Sequence, residues 1–600
     1  MKIEGNWYKE LKQSEAGGSF WTRGTKINVG VALFVVSLLT LAYVGGSGYL
    51  GYNDSDGSYA WSSNEDSFIK AGNNSYNVTF ADLQTACDLG VEVKLPSDCN
   101  ITVVAPGLSM SKKGTKLIGW NSTLFLAAGS NCDMITVSAG NISITGVYFN
   151  MNNYSQTYGT HNAIYLDNGA WDTHIFDCSF IHGVWHLINT ASSSGQGRHI
   201  IESNRFYSRE RQGYGGAICV RGAQNIVRNN IIKDTWGNGV CIEGSASITY
   251  DNIVDGNIIS GAVAVGIYNE NRYAKNTTIV NNIITNINST AYIVSEHYYS
   301  IGILSVKGCI IANNQISGVG DVGIYSNGDS EIIGNKIYNV RTNSLFASSG
   351  SGIVVVGYAT SSNFTIISSN KISYTANSGI VVSANASISS CIIRNITGAN
   401  NRGIEILGTG TVVSISDCRI ENISSSAGIH VEGTRARAYI SHCIIRNIGQ
   451  RGIYIVKSTG GIIEGNSIEK TGLEGIYIVT PSSKYVVNNN WVNNSNTGSS
   501  DGIRISASNI TVTGNIITTA DEAIELDGPA SNVSATGNRA YLCNSGFFES
   551  GACKYNSAES NNFRGCTVPY TIVGTGSYAM YINGTTAKIA IVNSGGTTWK

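Results

Sequence analysis

One phrase recurs along the chain with variations: GIYIVKSTGGIIEGNSIEK from Gly452, GIYIVTPSSKYVVNNNWVNN from Gly475 and GIRISASNITVTGNIITTA from Gly502. A glycine–aliphatic pair marks Gly266, Gly302, Gly323, Gly352, Gly379, Gly403, Gly428, Gly452, Gly475 and Gly502, with Ala523 as a late variant. The spacings run from 21 to 36 residues and mostly fall near 25. A second mark, an asparagine opening an Asn-x-aliphatic triplet, keeps the same period at Asn204, Asn230, Asn257, Asn282, Asn314, Asn335, Asn370, Asn466, Asn490 and Asn515. Two marks sharing one period define a solenoid, in which residues one repeat apart become vertical neighbours.

The segments between marks are three to six residues of Ile, Val and Tyr in period-two alternation, which reads as strand. Helical periodicity is nearly absent, and Gly, 70 of 600 residues, shares the corners with Asn. A repeat of this length fits a coil of three short strands and three turns, with successive coils about 4.8 Å apart. The turn asparagine is expected to tolerate a left-handed backbone while its amide pairs with the coil above.

The pattern IxGNxI…GIxI resembles the right-handed parallel β-helix of the pectin-lyase-like superfamily over roughly residues 95–540. The resemblance implies an all-β fold of about 16 coils, an Asn stack at the short turn between the second and third sheets, and a groove bordered by the GIxI strand. It does not imply one chemistry, because lyases, hydrolases, adhesins and viral tailspikes share the fold.

Residues 1–26 are polar and carry Lys9, Lys12, Arg23 and Lys26, whereas Ile27 to Asn53 holds no charge. The segment 27–50 is long enough to cross a bilayer as a helix. Cations before it and acids after it predict a membrane anchor with the N-terminus inside and the remainder outside. A cleaved signal peptide is the alternative. Sequons, all beyond this span, agree with an extracellular or virion-surface location. Residues 51–94 read as stalk and N-terminal cap, with TFADLQTAC (79–87) as a short capping helix. The β-helix is expected over 95–540, and a small C-terminal β cap or oligomerisation unit over 541–600.

A net charge of −1 with 13 % charged residues offers no field for nucleic acid. Cys178, Cys391, Cys418 and Cys443 fall at the Asn mark, where small buried side chains are expected. Aligning AICVRG with GVCIEG places Cys219 and Cys241 side by side on consecutive groove strands, close enough for a predicted disulfide. Cys543, Cys553 and Cys566 are expected to supply one local bridge. Neither a CxxC metal spacing nor a cofactor motif is present, so no metal and no cofactor are predicted.

In Gly-Ile-x-Ile the aliphatics point inward and x points outward. The x column reads Tyr165, Cys219, Cys241, Tyr268, Leu304, Tyr325, Val354, Val381, Glu405, His430, Tyr454, Tyr477, Arg504 and Glu525, with Glu243, Glu270, Glu432 and Asp527 in the next outward column. Glu405, His430, Glu432, Glu525 and Asp527 are the candidate acid–base residues. Tyr268, Glu243, Glu270, Tyr325, Tyr454, Tyr477 and Arg504 are the candidate glycan contacts. Ordinary cross-strand pairing explains the same charges without function. The chain lacks the NTD, DD, GHG and RIK elements of the family's pectin hydrolases, and ADEAIELDG (520–528) is a distant echo of the second. The expectation is therefore a membrane-anchored spike, a homotrimer like many viral tailspikes, that attaches to cell-surface glycans or a glycoprotein receptor. An extracellular polysaccharide hydrolase or lyase and a structural coat component are the alternatives.

Overall fold

The computed structural model describes residues 66–68 and 79–599, except 158, 192–196, 209–214, 245–249, 270–275, 289–299, 306–307, 343–348, 358–363, 400, 495–499, 564, 584–585 and 593–596. The expected membrane segment 27–50 and the tail before it lie outside the described residues. Among the described residues no helix is long and apolar enough to cross a membrane.

The described chain winds as a parallel β-solenoid of about 17 turns. One coil shows the plan: Val412–Ser416 on the first face, Arg419–Ile423 on the second and Ile429–Glu432 on the third. Each strand pairs in parallel with its counterpart one coil on, Val413 with Ala438, Ile420 with Ile445 and Ile429 with Ile453. The alternation seen in sequence thus sends one set of aliphatics inward from all three faces, and these form one core running through the coils. The glycine of GIxI is required by close approach. A Cβ on Gly452 would lie 2.5 Å from the carbonyl oxygen of Gly475 and 2.6 Å from Ile468 Cγ2.

The Asn marks line up in the turn between the first and second faces, which are the second and third sheets when the GIxI face is counted first, although not in the conformation expected from sequence. The left-handed residue is the one before the mark, as at Asn229 (φ 55), Ser369 (φ 57) and Asn489 (φ 53). The marked asparagine is buried and builds a ladder. Asn466 N–H and Nδ2 both donate to Asn490 Oδ1, at 3.0 and 2.9 Å, and Asn490 Nδ2 donates to Ile463 O at 2.8 Å. The same geometry repeats at Asn230, Asn257, Asn282, Asn314, Asn335 and Asn515, which satisfies these buried amides and rigidifies the turn. Cys391, Cys418 and Cys443 occupy the same column as buried free thiols, as expected.

Helix α1, Phe80–Asp88, forms where the sequence places it, started by a capping box between Thr79 and Asp82. Its Leu83, Ala86 and Cys87 join the core. Parallel pairing already operates at Glu92–Lys94, which pairs with Lys116–Ile118. It also continues past residue 540, through Ser545–Glu549 and Val568–Ile572. The Asn column persists there as Asn538 and Asn561, so coils of the same kind form. Among the described residues antiparallel pairing enters only where Thr586–Val592 folds back on Ser577–Asn583 and Thr597–Trp599 on Val568–Ile572.

Candidate functional site

The x column of the third face forms in the predicted order. Val381 is in register with Glu405, Glu405 with His430, His430 with Tyr454, Tyr454 with Tyr477, Tyr477 with Arg504, and Arg504 with Glu525. Asn189 also belongs to it, between Tyr165 and Cys219, and was hidden by the absence of a GIxI phrase in its coil. The column divides chemically along the coils.

At its start Cys219 and Cys241 are in register and buried, but both thiols are free, so the predicted disulfide is absent from this structure. Glu243 binds Arg221 through an ion pair and accepts from Cys241 Sγ at 3.2 Å. Burial acts to raise its pKa, yet Arg221 holds its carboxyl below the usual range. Glu270 lies outside the described residues. Cys543, Cys553 and Cys566 are likewise free, without the expected local bridge.

In the middle the outward side is not a polar groove. Val265, Ile301, Val322, Val354 and Val381 form a second small apolar cluster, against which Tyr268 and Tyr325 pack. These two candidate glycan contacts are therefore half-buried members of an apolar patch. The reason is a column the sequence reading passed over, the residue preceding each glycine. It reads Val265, Ile301, Val322, then Ser351 and Ser378, then Arg402, Ala427, Arg451, Glu474, Asp501 and, before Ala523, Glu522. Its switch from apolar to charged is what changes the face.

Where it turns charged, Glu405 is nearly enclosed, accepting from Ser378 Oγ at 2.9 Å and pairing with Arg402 Nη1 at 2.5 Å. Burial pushes its pKa up. His430 is buried too, and burial assisted by the Arg402 charge pushes it down to about 4, leaving it neutral at ordinary pH. Glu432 is 3.9 Å from His430 Nε2 but 3.0 Å from Lys457 Nζ, whose hydrogen bond keeps it ionised. The three residues are brought together, yet two of them are sealed from solvent by their own partners.

The rings of His430, Tyr454 and Tyr477 stack at centroid spacings of 5.1 and 5.5 Å. The Arg451 guanidinium stands 4.5 Å from the Tyr454 ring and Arg504 5.4 Å from the Tyr477 ring. The rings were expected to offer flat faces to sugars. In-register parallel rungs instead turn like side chains ring on ring, so the faces are spent on each other and on the arginines. The Tyr477 hydroxyl lies 3.3 Å from Ser506 Oγ.

Beyond the tyrosines lies the densest charge on this face. Arg504 pairs with Asp527 at 2.5 Å, Glu525 at 3.1 Å, Glu474 at 3.5 Å and Asp501 at 3.7 Å. Glu474 pairs in addition with Arg451 at 2.8 Å. Asp501 and Glu474 are buried, Glu525 is mostly buried, and Asp527 faces solvent. Burial, reinforced by hydrogen bonds with Glu525 and Glu522, pushes Asp501 up to about 10. Burial also raises Glu525, whereas the Arg504 hydrogen bond draws Asp527 below the usual carboxylate range. The arrangement therefore holds one protonated and one ionised carboxyl within reach of a single guanidinium. Glu525, Asp527 and Arg504 were legible from the x column. Asp501, Glu474, Arg451 and Glu522 were missed because they precede the glycine. A cavity of about 590 Å³ lined by Trp120, Tyr148, Asp177 and Arg205 opens elsewhere, at the turn between the first two faces.

A family model described as "Right handed beta helix region" matches residues 162–319, 383–539 and 427–594, together more than half of the chain. No curated protein sequence matches. Similar solved structures include an alginate lyase from Paenibacillus sp. str. FPU-7, 12 % identical over 65 % of this chain and 98 % of that one, with a TM-score of 0.28. Endopolygalacturonase I from Stereum purpureum is 11 % identical over 61 % of this chain and 99 % of that one, at 0.28. The catalytic domain of a GH87 α-1,3-glucanase in complex with tetrasaccharides is 10 % identical over 59 % and 68 %, at 0.33.

Proposed function

The chain belongs to the right-handed β-helix family, and on that scaffold we propose a polysaccharide hydrolase whose active site is the carboxyl cluster around Arg504. The observation that carries this reading is the gathering of buried Asp501, mostly buried Glu525 and half-buried Asp527 around one guanidinium, where burial raises the first two and the Arg504 hydrogen bond lowers the third. Hydrolysis of a glycosidic bond needs a carboxylic acid to protonate the leaving oxygen and a carboxylate to act on water or on the sugar. Asp501 is assigned the first role and Asp527 the second, with Glu525 holding the proton on Asp501 and Arg504 holding Asp527 ionised. Tyr454 and Tyr477 lie on the two preceding rungs and supply hydroxyl contacts to neighbouring sugar units.

The charge balance favours a neutral polysaccharide. Five carboxyls (Glu474, Asp501, Glu522, Glu525 and Asp527) surround two guanidiniums already committed to them, so a uronate chain meets repulsion. That argues against the lyase alternative, which removes a proton next to a uronate carboxylate and needs a free cation to neutralise it. Incubating the full chain with a panel of neutral polysaccharides should release new reducing ends. Asp501→Asn and Asp527→Asn should each lower the rate by about 10²–10⁴-fold. If no polysaccharide yields new ends while glycans still bind and the Tyr454 variants weaken that binding, the site serves attachment, as the sequence first suggested. Anchoring through residues 27–50 and trimer formation complete the proposal, and sedimentation of the detergent-solubilised chain reads both.

A further inference from the structure

A second cluster on the third face, far along the coils from Arg504, joins residues that are remote in sequence. His186, Cys219 and Glu243 offer ligand atoms that all lie within 4.8 Å of one another. Cys241, in register with Cys219, adds a fourth, its Sγ 3.2 Å from Glu243 Oε1. His186, Cys219 and Cys241 are all buried. We propose that His186, Cys219, Cys241 and Glu243 form a zinc site clasping three successive rungs of the solenoid.

Two thiolates, one imidazole and one carboxylate make a donor set suited to tetrahedral Zn²⁺. The charges close as well. Zn²⁺ and the Arg221 guanidinium, which pairs with Glu243, together balance two thiolates and one carboxylate, so a neutral assembly is buried. Binding transfers the two thiol protons to solvent, and no oxidant or reductant takes part. His186 would bind as the neutral imidazole. Its Nδ1 accepts from Gly216 N–H at 3.0 Å, which leaves the ring proton on Nε2. Ligation through Nε2 therefore needs that proton to shift to Nδ1 and the Gly216 contact to break, which makes His186 the weakest of the four ligands. The clasp has a structural use. The rungs it spans, Ile188–Thr190, Ile218–Val220 and Val240–Ile242, are only three residues each, so few ladder bonds hold them. No CxxC spacing announces the site, because the 22-position separation of Cys219 and Cys241 becomes one rung step only after winding.

The test uses the full chain purified under reducing conditions without chelator. Elemental analysis should find about one zinc per chain, and Co²⁺ added to the metal-free chain should give thiolate-to-cobalt charge-transfer absorption in the near ultraviolet. Cys219→Ser and Cys241→Ser should each abolish that band while the β-sheet circular dichroism is retained. Glu243→Gln should weaken Co²⁺ binding at least about 10-fold, and His186→Ala less than either cysteine change. Should a variant fail to fold, the wild-type cobalt spectrum alone decides, since a reduced wild-type chain without that band overturns the proposal. A Cys219–Cys241 disulfide that persists in the reduced preparation overturns it too.

Discussion

Replacing Asp501 by Asn should make the protein more stable and inactive at once. Asp501 is buried and hydrogen-bonded to Glu525 and Glu522, with its pKa pushed up to about 10 by burial first and those carboxyls second. Between the ordinary carboxylate range and that value, the folded chain keeps a proton that the unfolded chain has lost. The unfolded state then binds one proton fewer, so stability falls by about 1.4 kcal/mol for each pH unit gained. The raised group thus contributes fully below about pH 4, and its contribution drains away as pH rises toward 10. The slope depends on the proton count alone and not on the size of the shift. From pH 5 to pH 7 it amounts to about 2.7 kcal/mol, or about 100-fold in a local opening equilibrium. Asn at 501 keeps the shape of the protonated carboxyl without a titration, so the variant loses this slope. Because a solenoid opens by segments, the assay is amide exchange of Ile503–Ser508 and Glu522–Leu526 in both chains at pH 5, 6 and 7, corrected for intrinsic rates. The ratio of protection, variant over wild type, should climb about tenfold per pH unit. Equal slopes in the two chains would refute the shared proton, and with it the acid assigned to Asp501.

Three further outcomes follow from the ladders. Asn490→Ala strands the Asn466 donors and the Ile463 carbonyl, and should cost about 2–4 kcal/mol of stability in denaturant titration. Cys443→Asn should leave the melting temperature unchanged or raise it. Its amide would meet Asn466 Oδ1, which already accepts from Cys443 N–H at 2.9 Å, and would extend the ladder by one rung. Tyr454→Phe should weaken glycan binding about 3–10-fold in calorimetry, nearly as much as Tyr454→Ala, because His430, Tyr477 and Arg451 occupy the ring faces and leave the hydroxyl as the group proposed to bond a sugar.

The two marks sufficed for the fold because they record geometry directly. Gly475 recurs where a Cβ would strike the next coil's carbonyl, at 2.7 Å from Gly502 O, and Asn490 recurs where an amide must bridge two coils. Such repeated backbone demands are visible as period. The site was half legible for the same reason. Glu525 and Arg504 sit at a position whose direction the alternation fixes, whereas Asp501 sits at the end of a turn, where alternation carries no direction. Nor does sequence say which outward positions stay wet. Glu405 was placed correctly on the face, but only the structure shows Ser378 and Arg402 closing over it. The Cys219–Cys241 neighbourhood was read correctly too. What the repeat could not place was His186, which precedes its strand and belongs to no repeated phrase.

Arg504 offers the sharpest separation of structure from mechanism, because its guanidinium touches four carboxyls at once. Arg504→Ala would strand these charges, with a loss of about 3–5 kcal/mol, and would say little about chemistry. Arg504→Lys keeps the charge but replaces a planar fork by a single ammonium, which cannot bridge Asp527 on one side and Glu474 on the other. The low pKa of Asp527 rests first on its hydrogen bond to Arg504, so in the lysine variant that pKa should rise. A base must be ionised to act. The acid limb of the activity profile should therefore move to higher pH, while the limb set by Asp501 moves less, since burial dominates there. A lysine variant that folds, as judged by its melting curve, and shows both limbs unmoved would remove Asp527 from the mechanism and leave Glu522 to be tried in its place.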